Sequence, residues 1–255
     1  MLWYKSWLET RWRFAGGLAL LLLSAGTTVV LYPEVLRLLP AASSLDLEGE
    51  IGRRVAESAE LARSYRGYLW SQWFRQNMPQ VWTLVAIVLG TGGLLSQAAG
   101  GGGLFTLSLP ISRGRIVGVR AATVIGEMFI LALIPAVIFP VLSPAVGQSY
   151  GVGDALVHSV CMFAGGVVFF SLAFLLSTVF TDVWRPLLLA VCVAFALGLL
   201  EQLSADLAGI GVFRLMSGES YFRGHGVPWL GLAASGGVAA LMLYAASRRI
   251  ARQDF

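Results

Sequence analysis

Few residues in this 255-residue chain could do covalent or metal chemistry. His158 and His225 lie far apart, with no cysteine or acid at ligand spacing, and both read as structural. Cys161 and Cys192 each sit in an apolar run, so no disulfide framework or metal motif is visible. Ser235, in Ala234-Ser235-Gly236, could suggest an intramembrane serine protease, but no histidine follows it. Lys5 is the only lysine, which excludes a Walker A phosphate loop and Schiff-base chemistry outside the N-terminus. The run Gly100 to Gly103 continues into Leu104, Phe105 and Thr106 and is therefore not a phosphate cradle. The expectation is a chain with no catalytic residue, no metal and no cofactor of its own.

Composition says what surrounds these residues. Hydrophobic residues make up 57% and charged residues 13%, against about 25% charged in an ordinary soluble domain. Mean hydropathy is +0.75. So few charges cannot cover a soluble surface of this size. The composition excludes a soluble globular enzyme, a disordered protein and a nucleic-acid-binding domain, and no nucleic-acid partner is expected. It points to an all-α polytopic membrane protein forming one transmembrane domain over residues 1–255.

A bilayer core of about 30 Å needs roughly 20 apolar residues per helix. Six segments qualify: Phe14 to Tyr32, Gln80 to Ser96, Val117 to Val141, Leu156 to Val179, Pro186 to Leu203 and Trp229 to Ser247. With the N-terminus inside, the inner segments carry Lys5, Arg11, Arg13, Arg113, Arg115, Arg120, Arg185, Arg248, Arg249 and Arg252. The short outer loops carry only Arg214 and Arg223. Positive charge follows the cytoplasmic side, so both termini are expected there.

Two segments read as helices lying on the membrane. Residues 1–13 mix Trp3, Trp7 and Trp12 with Lys5, Arg11 and Arg13, the make-up of a cytoplasmic interfacial helix. Residues 33–78 form an external helical loop, with Leu47, Ile51, Val55, Ala59, Ala62, Leu69 and Trp73 on one stripe. Ser43 with Asp46 resembles a capping box there. Tyr65, Tyr68, Trp70, Trp73 and Phe74 then read as an aromatic belt before the second span. This loop either rests on the outer leaflet or the bundle, or is a solvated helical loop.

Glu127 is the one acid deep in a span, about ten residues into the third helix and so near mid-membrane at about 1.5 Å per residue. An ionised acid there costs on the order of 3 kcal/mol, so it must face protein or water. Two roles stay open: lining a substrate pathway, or hydrogen bonding to a neighbouring helix. Pro135 and Pro140 should kink the outer half of the same helix.

Between the second and third spans, residues 98–116 contain Leu107-Ser108-Leu109-Pro110-Ile111-Ser112-Arg113, then Arg115-Ile116 and a cation at Arg120. This stretch resembles the coupling region of ABC type-2 exporter permeases, where a leucine-rich turn leads into S-L-P-[VI]-S-R. Ala98, Ala99 and Gly100 stand where that family carries charges, and Leu104 where it carries a glutamate. Hydrophobic docking by Leu104, Phe105 and Leu107 would then replace a salt-bridged anchor.

The resemblance implies a permease subunit without enzymatic activity, driven by a separate ABC ATPase that holds ATP and Mg. It implies a second permease copy or paralogue, membrane lipids as surroundings, and residence in a bacterial or archaeal cytoplasmic membrane. The ATPase contacts would be Leu104, Phe105, Leu107, Leu109, Pro110, Ser112, Arg113 and Arg115. Pro110 would end the short helix, and Ser112 would cap the next. The competing reading is a membrane anchor or assembly subunit whose external loop, residues 33–78, docks an extracytoplasmic protein.

Overall fold

A chain in lipid must satisfy its backbone hydrogen bonds internally, which leaves the helix as the default for long apolar runs. The computed structural model describes residues 2–43, 57–92, 113–203 and 211–252. Every regular element among them is helical. The order is α1 (Leu2–Ser43), α2 (Tyr65–Leu69), a π-helical segment (Trp70–Asn77), α3 (Met78–Gly90), α4 (Arg113–Leu142), a 3-10 turn (Ser143–Val146), α5 (Val152–Ser177), α6 (Trp184–Leu203), α7 (Val212–Ser217), α8 (Glu219–Phe222) and α9 (Trp229–Ala251). Five helical stretches are long and apolar enough to cross a membrane: Leu2–Leu38, Gly114–Val146, Val152–Ser177, Trp184–Leu203 and Trp229–Ala251.

The sequence-based boundaries change in three places. Residues 2–13 are no separate interfacial helix; they run without a break into α1, which is 42 residues long. Pro33 does not end it: its missing N–H costs the helix one hydrogen bond, and the chain continues helical past it to Ser43. Ser43 is the last residue of α1 and so does not open an external helix.

The expected second span also begins elsewhere. Instead of starting at Gln80, the helical run starts at Tyr65 and passes through Pro79 to Gly90. Pro79 has no N–H to give to the carbonyl four residues back, and its ring crowds that carbonyl. The turn ahead of it widens accordingly: the Met78 N–H donates to the Trp73 carbonyl, five residues back. Thr91 caps α3, and residues 93–96 of the expected span lie outside the described residues.

The π-helical segment carries the core. Trp70, Trp73 and Phe74 are fully buried, as are Trp82 of α3 and Phe139 of α4. The expected aromatic belt is thus an internal aromatic plug. Each indole N–H inside it finds an acceptor on a different element. Trp70 donates to the Ser217 carbonyl at 3.0 Å, Trp73 to Ser24 Oγ at 3.0 Å, and Trp82 to the Met162 carbonyl at 2.7 Å. In lipid, where apolar burial drives helices together only weakly, such bonds and close packing hold a bundle. Trp73, Phe74 and Phe139 meet edge to face, with centroids 4.8–5.5 Å apart.

α5 is the hub. In its most apolar stretch 61% of residues are buried, against 17–33% in the other four candidate spans. α3, α4, α6, α7 and α9 all pack on it. Gly166 lets the Trp82 indole approach α5, and Gly90 lies against the α5 backbone at Phe170. α7 enters the bundle from the loop between α6 and α9. Phe213 packs on Phe169, and Leu215, Met216 and Ser217 are buried. Glu201 of α6 caps α7, its carboxylate accepting the N–H groups of Phe213 and Arg214 at 3.1–3.3 Å.

Candidate functional site

Three chain segments converge at the end of the bundle where α1 starts, α3 stops and α4 begins. Gly92 has φ +81°, and a Cβ there would strike the Arg13 guanidinium. The turn after α3 therefore needs glycine to admit that arginine. Arg13 donates to the carbonyls of Val88 (3.0 Å) and Thr91 (2.5 Å), the last groups of α3. Arg120 of α4 donates to the Gly92 carbonyl and pairs with Glu9 of α1 at 3.2 Å. Two cations thus close the C-terminal end of one helix, which satisfies its free carbonyls and its negative dipole end. Lys5 reaches the same Glu9 at 3.8 Å.

One turn further along, the Thr10 hydroxyl donates to Glu127 Oε1. Glu127 is buried, at 3% exposure, and its Oε2 has no hydrogen-bond partner among the described residues. Thr10 precedes Arg13 and the apolar run of α1. Glu127 is therefore level with the polar start of α1, although it lies two turns beyond Arg120 on its own helix.

A second polar centre occupies the opposite end. Asp154, in the first turn of α5, accepts from the Tyr221 hydroxyl of α8 at 2.8 Å and pairs with Arg66 Nε at 3.0 Å. Trp70 and Phe222 stack with centroids 4.0 Å apart, and Arg75 and Arg66 close the two outer faces at 5.4 and 5.6 Å. Tyr150 is buried beside Asp154; burial, reinforced by that carboxylate, pushes its hydroxyl well above the ordinary tyrosine range. The hydrogen bond to Asp154 raises Tyr221 in the same direction. His158 is buried under Gly218, with Nδ1 2.7 Å from the Asp154 carbonyl and its ring tilted on Phe74. His225 is exposed.

Of the proposed ATPase contacts, Leu104, Phe105, Leu107, Leu109, Pro110 and Ser112 lie outside the described residues. Arg113 opens α4 and Arg115 is exposed in its first turn. The segment that holds them leaves from Gly92, which the Arg13–Arg120 cluster holds, and returns at Arg113, two turns before Arg120. Cys161 is a buried free thiol and Cys192 an exposed one. Among the described residues no three His, Cys, Asp or Glu side chains gather as metal ligands. Sequence reading placed Arg13 in an interfacial helix and Arg120 at the opening of the third span, both as inside charges, and did not single out Glu9, Thr10, Asp154 or Tyr221. The available signal was Glu9 and Arg13 at i,i+4 next to a small polar residue, Thr10.

No family model, curated protein or solved structure matches the chain.

Proposed function

We propose that this chain is the membrane-spanning permease subunit of an ATP-driven exporter of the ABC type-2 class. It would work with a separate ATPase that holds ATP and Mg, and with a second permease copy or paralogue, in a bacterial or archaeal cytoplasmic membrane. One observation carries the reading. The segment bearing Ser108-Leu109-Pro110-Ile111-Ser112-Arg113 joins α3 to α4; the end of α3 is bonded to Arg13 of α1 and to Arg120, two turns into α4, which also pairs with Glu9 of α1. Movement of that segment by a soluble partner would be passed to three helices at once. A loop serving only as a connector needs no such bracing.

The 26-residue helical run from Tyr65 to Gly90 would be the sixth crossing. α9 starts beside Leu215 and keeps one face, from Gly231 to Ile250, against the bundle, so its basic end lies away from the Asp154 centre, on the side where α1 begins. Both termini on one side, as six crossings require, fits the reading. The competing anchor role asks for a presented external surface. Tyr65, Tyr68, Trp70, Trp73 and Phe74 of that loop are buried instead, which favours the permease.

The test is copurification with a Walker-type ATPase encoded beside this chain. Phe105→Ala with Leu107→Ala should weaken that complex about thirtyfold, the effect of losing roughly 2 kcal/mol at an interface centre. Leu47→Ala with Ile51→Ala should leave it intact. An ATPase bound equally well by all three forms would overturn the assignment.

A further inference from the structure

The end of α9 carries a charged surface that neither polar centre uses. Leu241, Tyr244, Arg248 and Arg252 follow one another at helical spacing and share one exposed face, while Ala239, Ala246 and Ile250 face the bundle. Leu241 and Tyr244 are 69% and 59% exposed. Arg248 lies over the Tyr244 ring at 5.5 Å. Beside them a surface cleft of about 410 Å³ is lined by Ala245, Arg248, Arg249 and Arg252. The small Ala245 side chain leaves the room, and three guanidinium groups border it. Among the described residues no carboxylate pairs with any of the three.

We propose that this cleft binds the headgroup of an anionic phospholipid, with its phosphate on Arg248, Arg249 and Arg252 and its acyl chains along Leu241 and Tyr244. Guanidinium groups match phosphate oxygens with paired N–H donors. Clustered arginines just beyond a membrane-crossing helix are attracted to anionic lipid at about fivefold in affinity per residue. The shape of the surface selects among occupants. A soluble acidic protein has no use for the exposed apolar stripe that leads into the cleft, whereas a lipid needs both parts. A second copy of this face would bring three positive charges against three.

The full-length chain in neutral detergent can be titrated with dioleoylphosphatidylglycerol or dioleoylphosphatidylcholine, and bound lipid counted by native mass spectrometry. The wild type should retain the phosphatidylglycerol preferentially, and millimolar inorganic phosphate should not displace it. The triple variant Arg248→Gln, Arg249→Gln, Arg252→Gln should lose roughly a hundredfold of that preference. Arg37→Gln, an exposed arginine of α1, should keep it. Two outcomes would overturn the proposal: full displacement by inorganic phosphate, which marks a free-anion site, or an unchanged preference in the triple variant, which marks a protein-docking surface if a copurifying ATPase is lost with it.

Discussion

Arg120 and Glu9 are 111 residues apart in the chain, yet Arg120 Nη1 lies 3.2 Å from Glu9 Oε2. The Arg120 side chain is almost wholly enclosed, at 8% exposure, while that of Glu9 is 25% exposed and also faces Lys5. The two ends of this pair therefore differ in what their loss would leave behind.

Arg120→Gln should destabilise the protein more than Glu9→Gln. Removing the arginine strips the Gly92 carbonyl of its donor and takes from the Glu9 carboxylate its most enclosed cation. The cost should be on the order of 3 kcal/mol, the scale for breaking a buried pair. Removing Glu9 should cost about a third of that, since it is partly solvated. Thermal unfolding of both single variants and the double variant in one detergent measures this; equal losses would mean the Gly92 contact contributes nothing.

Glu127 can be separated from its charge. In Glu127→Gln the amide oxygen still accepts from Thr10, so stability should stay close to wild type, whereas Glu127→Leu should lose about 1 kcal/mol. Thr10→Val should match the leucine variant, and the double variant should be no worse than either single one. On the permease reading proposed above, a Glu127→Gln variant that melts normally yet lowers the partner ATPase's hydrolysis would assign the carboxylate a role beyond packing.

Glycines of opposite consequence lie in the same bundle. A Cβ at Gly166 would fall on the rigid Trp82 indole, while a Cβ at Gly26 would meet nothing within 4 Å. Gly166→Ala should cost about 1–3 kcal/mol and break the Trp82–Met162 bond. Gly26→Ala, in a helix interior, should be neutral or stabilising by up to about 1 kcal/mol. Tryptophan fluorescence should shift in the first variant only.

Alkali should loosen the Asp154 end. Tyr150 and Tyr221 hold their protons more tightly when folded than the ordinary tyrosine value of about 10. Below that pH both states are protonated and stability is flat. Above it the unfolded chain ionises first, so stability falls as pH rises. Melting temperature measured from pH 8 to 11 should show the fall, and Tyr150→Phe should blunt it; the same slope in the variant would assign the effect elsewhere.

The apolar runs that became α4, α5, α6 and α9 could be read from hydropathy alone, because lipid admits little else for them. The aromatic run from Tyr65 to Phe74 could not be placed that way. Amphipathic rings suit a membrane interface and a protein interior alike, and the choice was made by Pro79, whose missing donor reshapes the turn that aims Trp70 and Trp73 inward. α7 escaped notice because six residues are too few for any span-length average. Glu127 stood out through its charge, but its partner Thr10 belongs to a segment that looked like a surface helix. Arg13 and Arg120 were legible as inside charges, one before the first span and one opening the third. Their acceptors are main-chain carbonyls at Val88, Thr91 and Gly92, groups that every sequence has and none advertises.

The unbroken length of α1 has a mechanical meaning. Its 42 residues make a rod of about 63 Å, roughly twice the hydrocarbon thickness it has to cross. Glu9, Thr10 and Arg13 grip it near one end, and Ser43 lies some 50 Å beyond that grip. Its middle is held too: Ser24 accepts from the Trp73 indole and the Thr28 carbonyl from the Tyr68 hydroxyl. A push at the gripped end would therefore travel along a stiff rod to the aromatic plug, about 20–27 Å away.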